Sequence, residues 1–344
     1  MLTLLNTIKG KFNLLNAFGI ELELLIPRPF TQQDVVRKLS EASINVRGLG
    51  WQRRENRTTD QWIMTSDCTV RGQAGYSGSN ELVSPKLYGQ DGKNQLKQVL
   101  KVLNEMGCIV NKSCGLHVHH DVTDVMLLKQ DVVETFLLSL VKLVAKYEHI
   151  IYRLVSPSRL MKVNGSYWTK PVRKVFAKLN RYDFFNIDIK RTVKLLKDNC
   201  KADCNDKYDP HINRTAPFKF QDSRYCGLNL KNIWTRGSVE FRYHQGSLNF
   251  DKIWAWVVFT QLIVSSCIGR KVVSFSKVQT NEHGLFNFRK TIGMIGHKNQ
   301  CPDVKFANKM ITKRFKKMTT SSMNISRSRS GLYYTIKNQF TREA

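Results

Sequence analysis

Three short segments of the chain place acidic, imidazole or guanidinium groups at every second position. They read Phe-Gly-Ile-Glu-Leu-Glu-Leu-Leu at residues 18–25, Cys-Gly-Leu-His-Val-His-His-Asp at residues 114–121 and Ser-Val-Glu-Phe-Arg-Tyr-His at residues 238–244. Because successive side chains of a β-strand point to opposite faces, each segment would collect its charged groups on one face. These groups are Glu21 and Glu23, then His117, His119 and Asp121, and finally Glu240, Arg242 and His244.

The residue types on these faces are those of a metal and phosphate site. If the faces line one cavity, their carboxylates need cations nearby, since unpaired buried charge is very costly. Together with Glu81, they suit a pair of divalent cations such as Mg2+, which prefers oxygen ligands and leaves room for substrate phosphates. Arg224 and Arg242 could stabilise a transferring phosphoryl group. The sequence has neither a phosphate-binding lysine loop nor a dinucleotide-binding glycine fingerprint, so a nucleotide would bind through metal and arginine on a sheet.

Each segment taken alone also has an ordinary structural interpretation. The acidic pair of the first segment could form a solvent-facing strand edge, and Glu240 with Arg242 could form a simple ion pair. The imidazoles of the second segment could be buried histidines with satisfied hydrogen bonds. The combination of the three segments favours a site, and we expect His120, Asp121 and His244 to be its neighbours rather than its members.

Hydrophobic periodicity predicts the elements that would position these groups. We expect strands at 14–26, 62–65, 81–84, 114–122, 224–230 and 238–244, and helices at 31–44, 92–106, 124–155 and 251–268. Thr31 and Asp34 resemble a capping box, and Gly107 and Gly269 are positioned to end helices. The glycines at 72, 75 and 78 indicate a loop before the third strand.

Composition gives a chain of 344 residues that is 42% hydrophobic, enough for a large core. The net charge of +28 permits an anionic partner such as nucleic acid, or reflects a bias toward Lys and Asn that is spread along the chain. Residues 303–344 contain only Asp303 and Glu343 as acids and include Ser-Arg-Ser-Arg-Ser at 326–330. We expect this tail to be a solvated extension or a contact for an anionic polymer.

The sequence predicts a cytoplasmic protein without a membrane span. The most apolar run, residues 253–268, contains Gln261 and is too short, so it predicts a buried helix. The first nine residues lack a basic segment and a long apolar core, so no secretory signal is expected. Eight cysteines without a Cys-x-x-Cys pair indicate reduced thiols. A zinc site on Cys200, Cys204 and His211 is the alternative, although no fourth ligand is evident.

In order and wording, the motifs resemble those of an amidoligase family, whose members are carboxylate–amine ligases with the glutamine synthetase and glutamate–cysteine ligase fold. The resemblance covers roughly residues 14–270. It rests on Phe18-Gly-Ile-Glu-Leu-Glu, Asp67 followed by Glu81-Leu-Val-Ser-Pro, Cys114-Gly-Leu-His-Val-His, Arg224-Tyr-Cys-Gly-Leu-Asn-Leu and Ser238-Val-Glu-Phe-Arg-Tyr-His-Gln-Gly-Ser. Each motif alone is weak, but five in this order are fairly specific.

The resemblance implies an α+β fold, in which a curved antiparallel sheet holds the active site on its concave face and helices pack on its outer face. It implies ATP and two or three Mg2+ ions as cofactors, with Mn2+ as a substitute. The implied reaction joins a small-molecule, peptide or protein carboxylate to an amine through an acyl phosphate. Oligomeric state stays open, since related ligases often build sites at subunit interfaces.

Carried over by position, the resemblance gives the site residues specific roles. The metal ligands would be Glu21, Glu23, Glu81, His117 and Glu240. The nucleotide or substrate contacts would be His119, Arg224, Asn229 and Arg242, of which Arg224 and Arg242 would act on the transferring phosphate.

Two regions of the chain lie outside the motifs. We expect residues 1–270 to form a catalytic domain in which residues 156–222 are an insertion or cover. We expect residues 271–344 to form a basic, partly flexible extension. The charge of this extension supports an alternative function, a nucleic-acid-binding protein on a degenerate ligase fold without catalysis.

Overall fold

The computed structural model describes residues 17–50, 60–159, 169, 172, 226–230, 232–269, 278–297, 299, 301–320, 323–327 and 334–338. The strands are β1 (Phe18–Pro27), β2 (Val46–Gly50), β3 (Trp62–Thr65), β4 (Tyr76–Val83), β5 (Gly115–Asp121), β6 (Leu228–Asn229), β7 (Ser238–Gln245), β8 (Met323–Arg327) and β9 (Tyr334–Asn338). The helices are α1 (Gln32–Glu41), α2 (Gly89–Glu105), α3 (Thr123–Met126), α4 (Gln130–Arg153), α5 (Asn232–Arg236), α6 (Phe250–Cys267), α7 (Glu282–Thr291), α8 (Met294–His297) and α9 (Pro302–Thr320). One turn of 3-10 helix covers Pro157–Arg159.

Strands β1–β7 form one sheet in the order β2-β3-β4-β1-β5-β7-β6. Neighbouring strands are antiparallel, except for the parallel pair β2 and β3. The three charged segments therefore lie on the adjacent strands β1, β5 and β7. The predicted α+β class with a mainly antiparallel sheet is confirmed.

Helices cover one face of this sheet, with α6 in the middle of the layer. The side chains of α6 are apolar around most of its circumference and are largely buried. The ring of Phe18 on β1 packs edge-on against Trp254 of α6, with 5.7 Å between ring centres. His120 Nε2 on β5 lies 2.7 Å from the hydroxyl of Thr260 on α6. The even residues of β1 and β5 thus face the helices.

The helices after residue 278 are part of the same packed layer. Phe288 of α7 and Val304, Ala307 and Phe315 of α9 are buried in the main hydrophobic core with α6. These helices lie in the region that the sequence assigned to a basic extension, so that region is packed at least as far as α9. The division of the chain near residue 270 stays a prediction.

Several local signals in the sequence are confirmed. The Thr31 side chain accepts a hydrogen bond from the Asp34 backbone N–H, and the Asp34 carboxylate accepts one from the Thr31 N–H, so the capping box before α1 is complete. Gly107 and Gly269 follow helices with φ of 74° and 64°, a backbone region that favours glycine.

Several predicted boundaries are wrong, and two of these differences have a clear physical reason. The helix expected over 124–155 is divided into α3 and α4, because the Leu128 N–H bonds to the Val125 carbonyl and closes a tight turn. The glycine-rich stretch expected as a loop contains the start of β4. A Cβ on Gly78 would lie only 2.3 Å from the backbone nitrogen of Gly72, so this glycine permits close backbone packing within a strand.

Some expectations fall outside the described residues, namely most of the segment 156–222, including Cys200, Cys204 and His211, and the Arg-Ser run after residue 327. Among the helices of the described ranges, none combines the length and the apolar character needed to cross a membrane.

Candidate active site

Strand register brings the acidic residues of β1 and β4 onto the face of the sheet opposite α6. Glu21 is directly opposite His117 of β5, and Glu23 is directly opposite Glu81 of β4. Residues that face each other across neighbouring strands point to the same side. The sheet therefore collects these four side chains on one face, which we call the acid face.

The acid face continues across β7 to the edge of the sheet. Glu240 pairs with His119 on one side and with Asn229 of β6 on the other. The site thus uses five adjacent strands, from β4 to β6, and each contributes one or two functional side chains. A constellation of this breadth requires the whole sheet to be in register.

His117 lies at the centre of the acid face. Its Nδ1 is 2.9 Å from Glu21 Oε2 and 3.6 Å from Glu240 Oε1, and its Nε2 is 3.5 Å from Glu23 Oε1. His119 Nε2 is 3.4 Å from the other oxygen of Glu21. Both nitrogens of the central imidazole are therefore turned toward carboxylates.

Among the described residues, two groups of side chains have the spacing of metal ligands, and both include His117. One is Glu21, His117 and Glu240, and the other is Glu23, Glu81 and His117. Within each group, one ligand atom from every residue lies within 4.8 Å of the others. All five predicted metal ligands are buried and are brought together, so the arrangement can hold divalent cations.

The electrostatics of Glu21 show how strongly the site favours negative charge. Burial raises the pKa of this carboxyl, but hydrogen bonds from His117 and His119 outweigh burial and hold the pKa well below its usual value. Glu21 is therefore ionised at neutral pH, as a metal ligand must be.

Glu240 is held by three donors. Arg242 Nη1 is 2.5 Å from one of its oxygens, while the side-chain amides of Asn229 and Asn232 donate to the other at 2.7 and 3.1 Å. Burial raises the pKa of Glu240, but the positive charge of Arg242 and the nearby His119 lower it overall. The carboxylates in turn raise the pKa of Arg242 against the effect of its burial, so the pair stays charged.

The third strand face differs from the prediction at His244. Leu116 and Val118 of β5 pair with His244 and Phe241 of β7, so β7 contains one extra residue between these pairs. This β-bulge turns His244 to the helix layer, where its ring lies 5.1 Å from that of Trp256. Strict alternation had placed His244 beside Arg242, and that expectation is wrong.

The other two neighbours are also separate from the cluster. His120 faces α6, and burial lowers its pKa to about 3, as it does for His244. Asp121 forms an ion pair with Lys86, with 2.8 Å between the charged atoms, at the end of β5. Asp67 accepts two hydrogen bonds from Thr69 and shapes a turn.

Sequence reasoning missed two functional candidates, and one residue that it did predict lies outside the described residues. Asn232 bonds Glu240, and its only signal was its position three residues after Asn229. Arg159 is buried beside Glu23 and Arg242, and burial lowers its pKa to about 10 although Glu23 acts in the opposite direction. No strand or helix pattern marked it. Arg224 lies outside the described residues.

Comparison with known proteins identifies the class. A protein-family model described as "Putative amidoligase enzyme" matches residues 16–264. This match covers more than half of the chain, so the chain belongs to this amidoligase family. The resemblance expected from the five motifs is thereby confirmed.

A similar solved structure is a bifunctional glutathione synthetase from Pasteurella multocida. It shares 10% sequence identity with a TM-score of 0.43, over 89% of this chain and 47% of that chain. The chain thus spans about half the length of that protein. A comparison with curated proteins finds no match.

Proposed function

We propose that the protein is an ATP- and Mg2+-dependent ligase that joins a carboxylate to an amine through an acyl-phosphate intermediate. The proposal depends on one observation: two sets of potential metal ligands, each containing two glutamates, share His117 at the centre of the acid face. Family membership supports amide-bond formation. The buried carboxylates and arginines support the use of metal and nucleotide.

The acid face fits divalent cations because it is rich in buried negative charge. As whole residues, Glu21, Glu23, Glu81 and Glu240 are each at most 6% exposed. Arg242 forms an ion pair with one of them, Glu240. We infer that these carboxylates and His117 hold two cations, which would neutralise the phosphates of ATP and align the transferring group.

The remaining residues suit the transfer of a phosphoryl group. A substrate carboxylate oxygen would attack the γ-phosphorus with departure of ADP, and the amine nitrogen would then attack the acyl carbon, releasing phosphate and a proton. Arg242, fixed by Glu240, would stabilise the charge on the transferring group. His119 and Asn229 flank the acidic cluster and would contact nucleotide or substrate. The motif alone assigns Arg224 to contact with nucleotide or substrate and to action on the transferring phosphate.

The proposal extends to the finer fold and the layout of the chain. We infer that the sheet is curved as in glutamine synthetase, with the acid face as its concave side. Residues 1–270 would form the catalytic domain, with 156–222 as a cover that selects the substrates.

The test is ATP consumption by the full-length protein. With Mg2+ and a mixture of carboxylic acids and amines, the protein should release ADP and phosphate. The Glu21→Ala and Glu240→Ala variants should lose both this activity and affinity for Mg2+-ATP, since each removes a carboxylate from a metal group.

A matched control is Glu134→Gln, because Glu134 is a buried carboxylate of α4 that bonds Gln130 and lies outside both metal groups. This variant should retain activity and nucleotide affinity. A Glu240→Ala variant with unchanged turnover and Mg2+-ATP affinity would contradict the assignment.

A second candidate function is binding of nucleic acid without catalysis. It is favoured by α9, whose exposed side includes Lys305, Lys309 and Lys313, spaced by about one helical turn. The opposite side of α9 is buried in the core, so truncation near residue 300 would damage folding. Substituting these three lysines by Gln is the better test. It should weaken binding and reduce its salt dependence, and absence of DNA and RNA binding at low salt would exclude this function.

A further inference from the structure

A buried guanidinium lies beside the acid face, and it has no ion-pair partner among the described residues. Arg159 is 5% exposed and lies at the end of the 3-10 turn that follows α4. A Cβ added to Gly115 would be 3.1 Å from both terminal nitrogens of Arg159 and 3.1 Å from His117 Nε2. The guanidinium and the central imidazole therefore meet above Gly115, whose N–H donates to Glu23 Oε2.

The donors of Arg159 are only partly used. Its Nη2 donates to the carbonyl oxygen of Arg242 at 2.9 Å, and its Nε has no hydrogen-bond partner within the described part of the chain. No carboxylate of the described residues lies within ion-pair distance of it, whereas Arg242 is already paired with Glu240. An unpaired buried guanidinium is costly, and its five N–H groups match the oxygens of a carboxylate or phosphate.

We propose that Arg159 and a cation held by Glu23, Glu81 and His117 together bind one oxyanion. This inference rests on the proposed function for its metal, and it deepens that function by placing an anionic group of a substrate at this end of the site. The oxyanion is either the carboxylate of the acid substrate or the phosphate that is transferred. Both have oxygens that can bridge a cation and a guanidinium.

A purely structural role for Arg159 would be to tie the 3-10 turn to β7 through the Arg242 carbonyl. The Arg159→Gln variant separates the two roles, since glutamine keeps an N–H donor and removes the charge. A matched control is Arg314→Gln. Arg314 is a half-buried arginine that donates to the Leu154 carbonyl, and it lies on α9 in the helix layer.

The experiment is calorimetric titration of the full-length protein at saturating Mg2+, with inorganic phosphate in one arm and glutarate in the other. The wild type should bind at least one of these anions. Arg159→Gln should weaken that binding about tenfold or more, the loss expected for a charge-assisted hydrogen bond. Mg2+ affinity should be unchanged, and Arg314→Gln should bind the anion as the wild type does. An effect in the phosphate arm assigns the transferred phosphate, and an effect in the glutarate arm assigns the acid substrate.

Two results would overturn the inference. One is an Arg159→Gln protein with the wild-type melting temperature and wild-type affinity for both anions. The other is a wild type that binds Mg2+ but neither anion at millimolar concentration. Arg159-dependent anion binding without ATP turnover would leave this inference standing and remove the proposed function. ATP turnover with anion binding that does not depend on Arg159 would do the reverse.

Discussion

The two faces of the central sheet treat histidine in opposite ways. On the acid face, His117 and His119 bond or approach carboxylates, and their proximity keeps Glu21 ionised. On the helix face, His120 and His244 pack against α6, and burial lowers the pKa of each to about 3. His120 thus has electrostatic surroundings opposite to those of His119 and His117, although it is only one and three positions away from them. What a side chain can do is decided here by the face on which it lies.

The largest effect should come from the shared imidazole. His117→Ala removes a ligand from both metal groups at once. Loss of a partner that merely supports a ligand typically weakens metal binding 10–100-fold, so loss of this ligand should cost at least about 100-fold and abolish ATP turnover. Mn2+ binding followed by electron paramagnetic resonance provides the measurement.

The helix face supplies the control for this variant. His120→Gln keeps an N–H donor toward Thr260 and lies outside both metal groups, so its Mn2+ affinity should stay within about twofold of the wild type. Equal losses in the two variants would show that the faces do not differ as proposed.

The second effect concerns stability in mild acid. The His120 Nδ1 is buried without a hydrogen-bond partner among the described residues, so the folded protein resists its protonation. The pKa of each helix-face histidine falls from 6.5 to about 3, so the unfolded chain binds more protons between these values. The contribution of these two histidines to the free energy of unfolding should be constant well above pH 6.5. It should decrease as pH falls below 6.5, by up to about 1.4 kcal/mol per pH unit for each histidine.

The acid face should respond in a different pH window. The pKa values of Glu21 and Glu240 are lowered in the folded protein, so their stabilisation is complete above the ordinary value of 4.5 and is lost as pH falls below it. Urea unfolding at pH 7.5, 6.0 and 5.0 therefore reports mainly the helix face. His120→Gln should show a shallower decrease over this range, and an unchanged slope would contradict the assignment.

The sequence predicted the central carboxylates of the acid face, but it did not predict which residues lie at the edges of this face. Glu21, Glu23 and Glu240 follow from alternation, because β1 is regular up to Leu24 and β7 is regular up to Phe241. His244 could not be placed, since the bulge in β7 depends on pairing with β5 and leaves no local signal. Arg159 follows a helix in an irregular segment, where neither the alternation of a strand nor the periodicity of a helix applies. The position of His117 between the two metal groups depends on strand register, which cannot be derived from a single sequence.

A smaller effect should come from the amides that hold Glu240. Asn229→Ala removes the donor that lies 2.7 Å from Glu240 Oε2, but leaves Asn232 and Arg242 in place. Losing one of several bonds to a charged ligand should weaken Mn2+ binding about tenfold, between the losses expected for His117→Ala and for His120→Gln. If Asn229→Ala were as damaging as His117→Ala, Asn229 would have to be a direct ligand.

The smallest effect should be found where β5 leaves the site. Lys86 pairs with Asp121, but the Lys86 side chain is 45% exposed, and Asp121 also accepts hydrogen bonds from Thr123. Exposed ion pairs contribute about 0–1 kcal/mol, so Lys86→Gln should lower the free energy of unfolding by less than about 1 kcal/mol. Its Mn2+ affinity should be unchanged, because Asp121 belongs to neither metal group. Urea unfolding and Mn2+ titration of one preparation test both statements. A tenfold loss of Mn2+ affinity would mean that the acid face extends along β5 to Asp121 and is set by alternation after all.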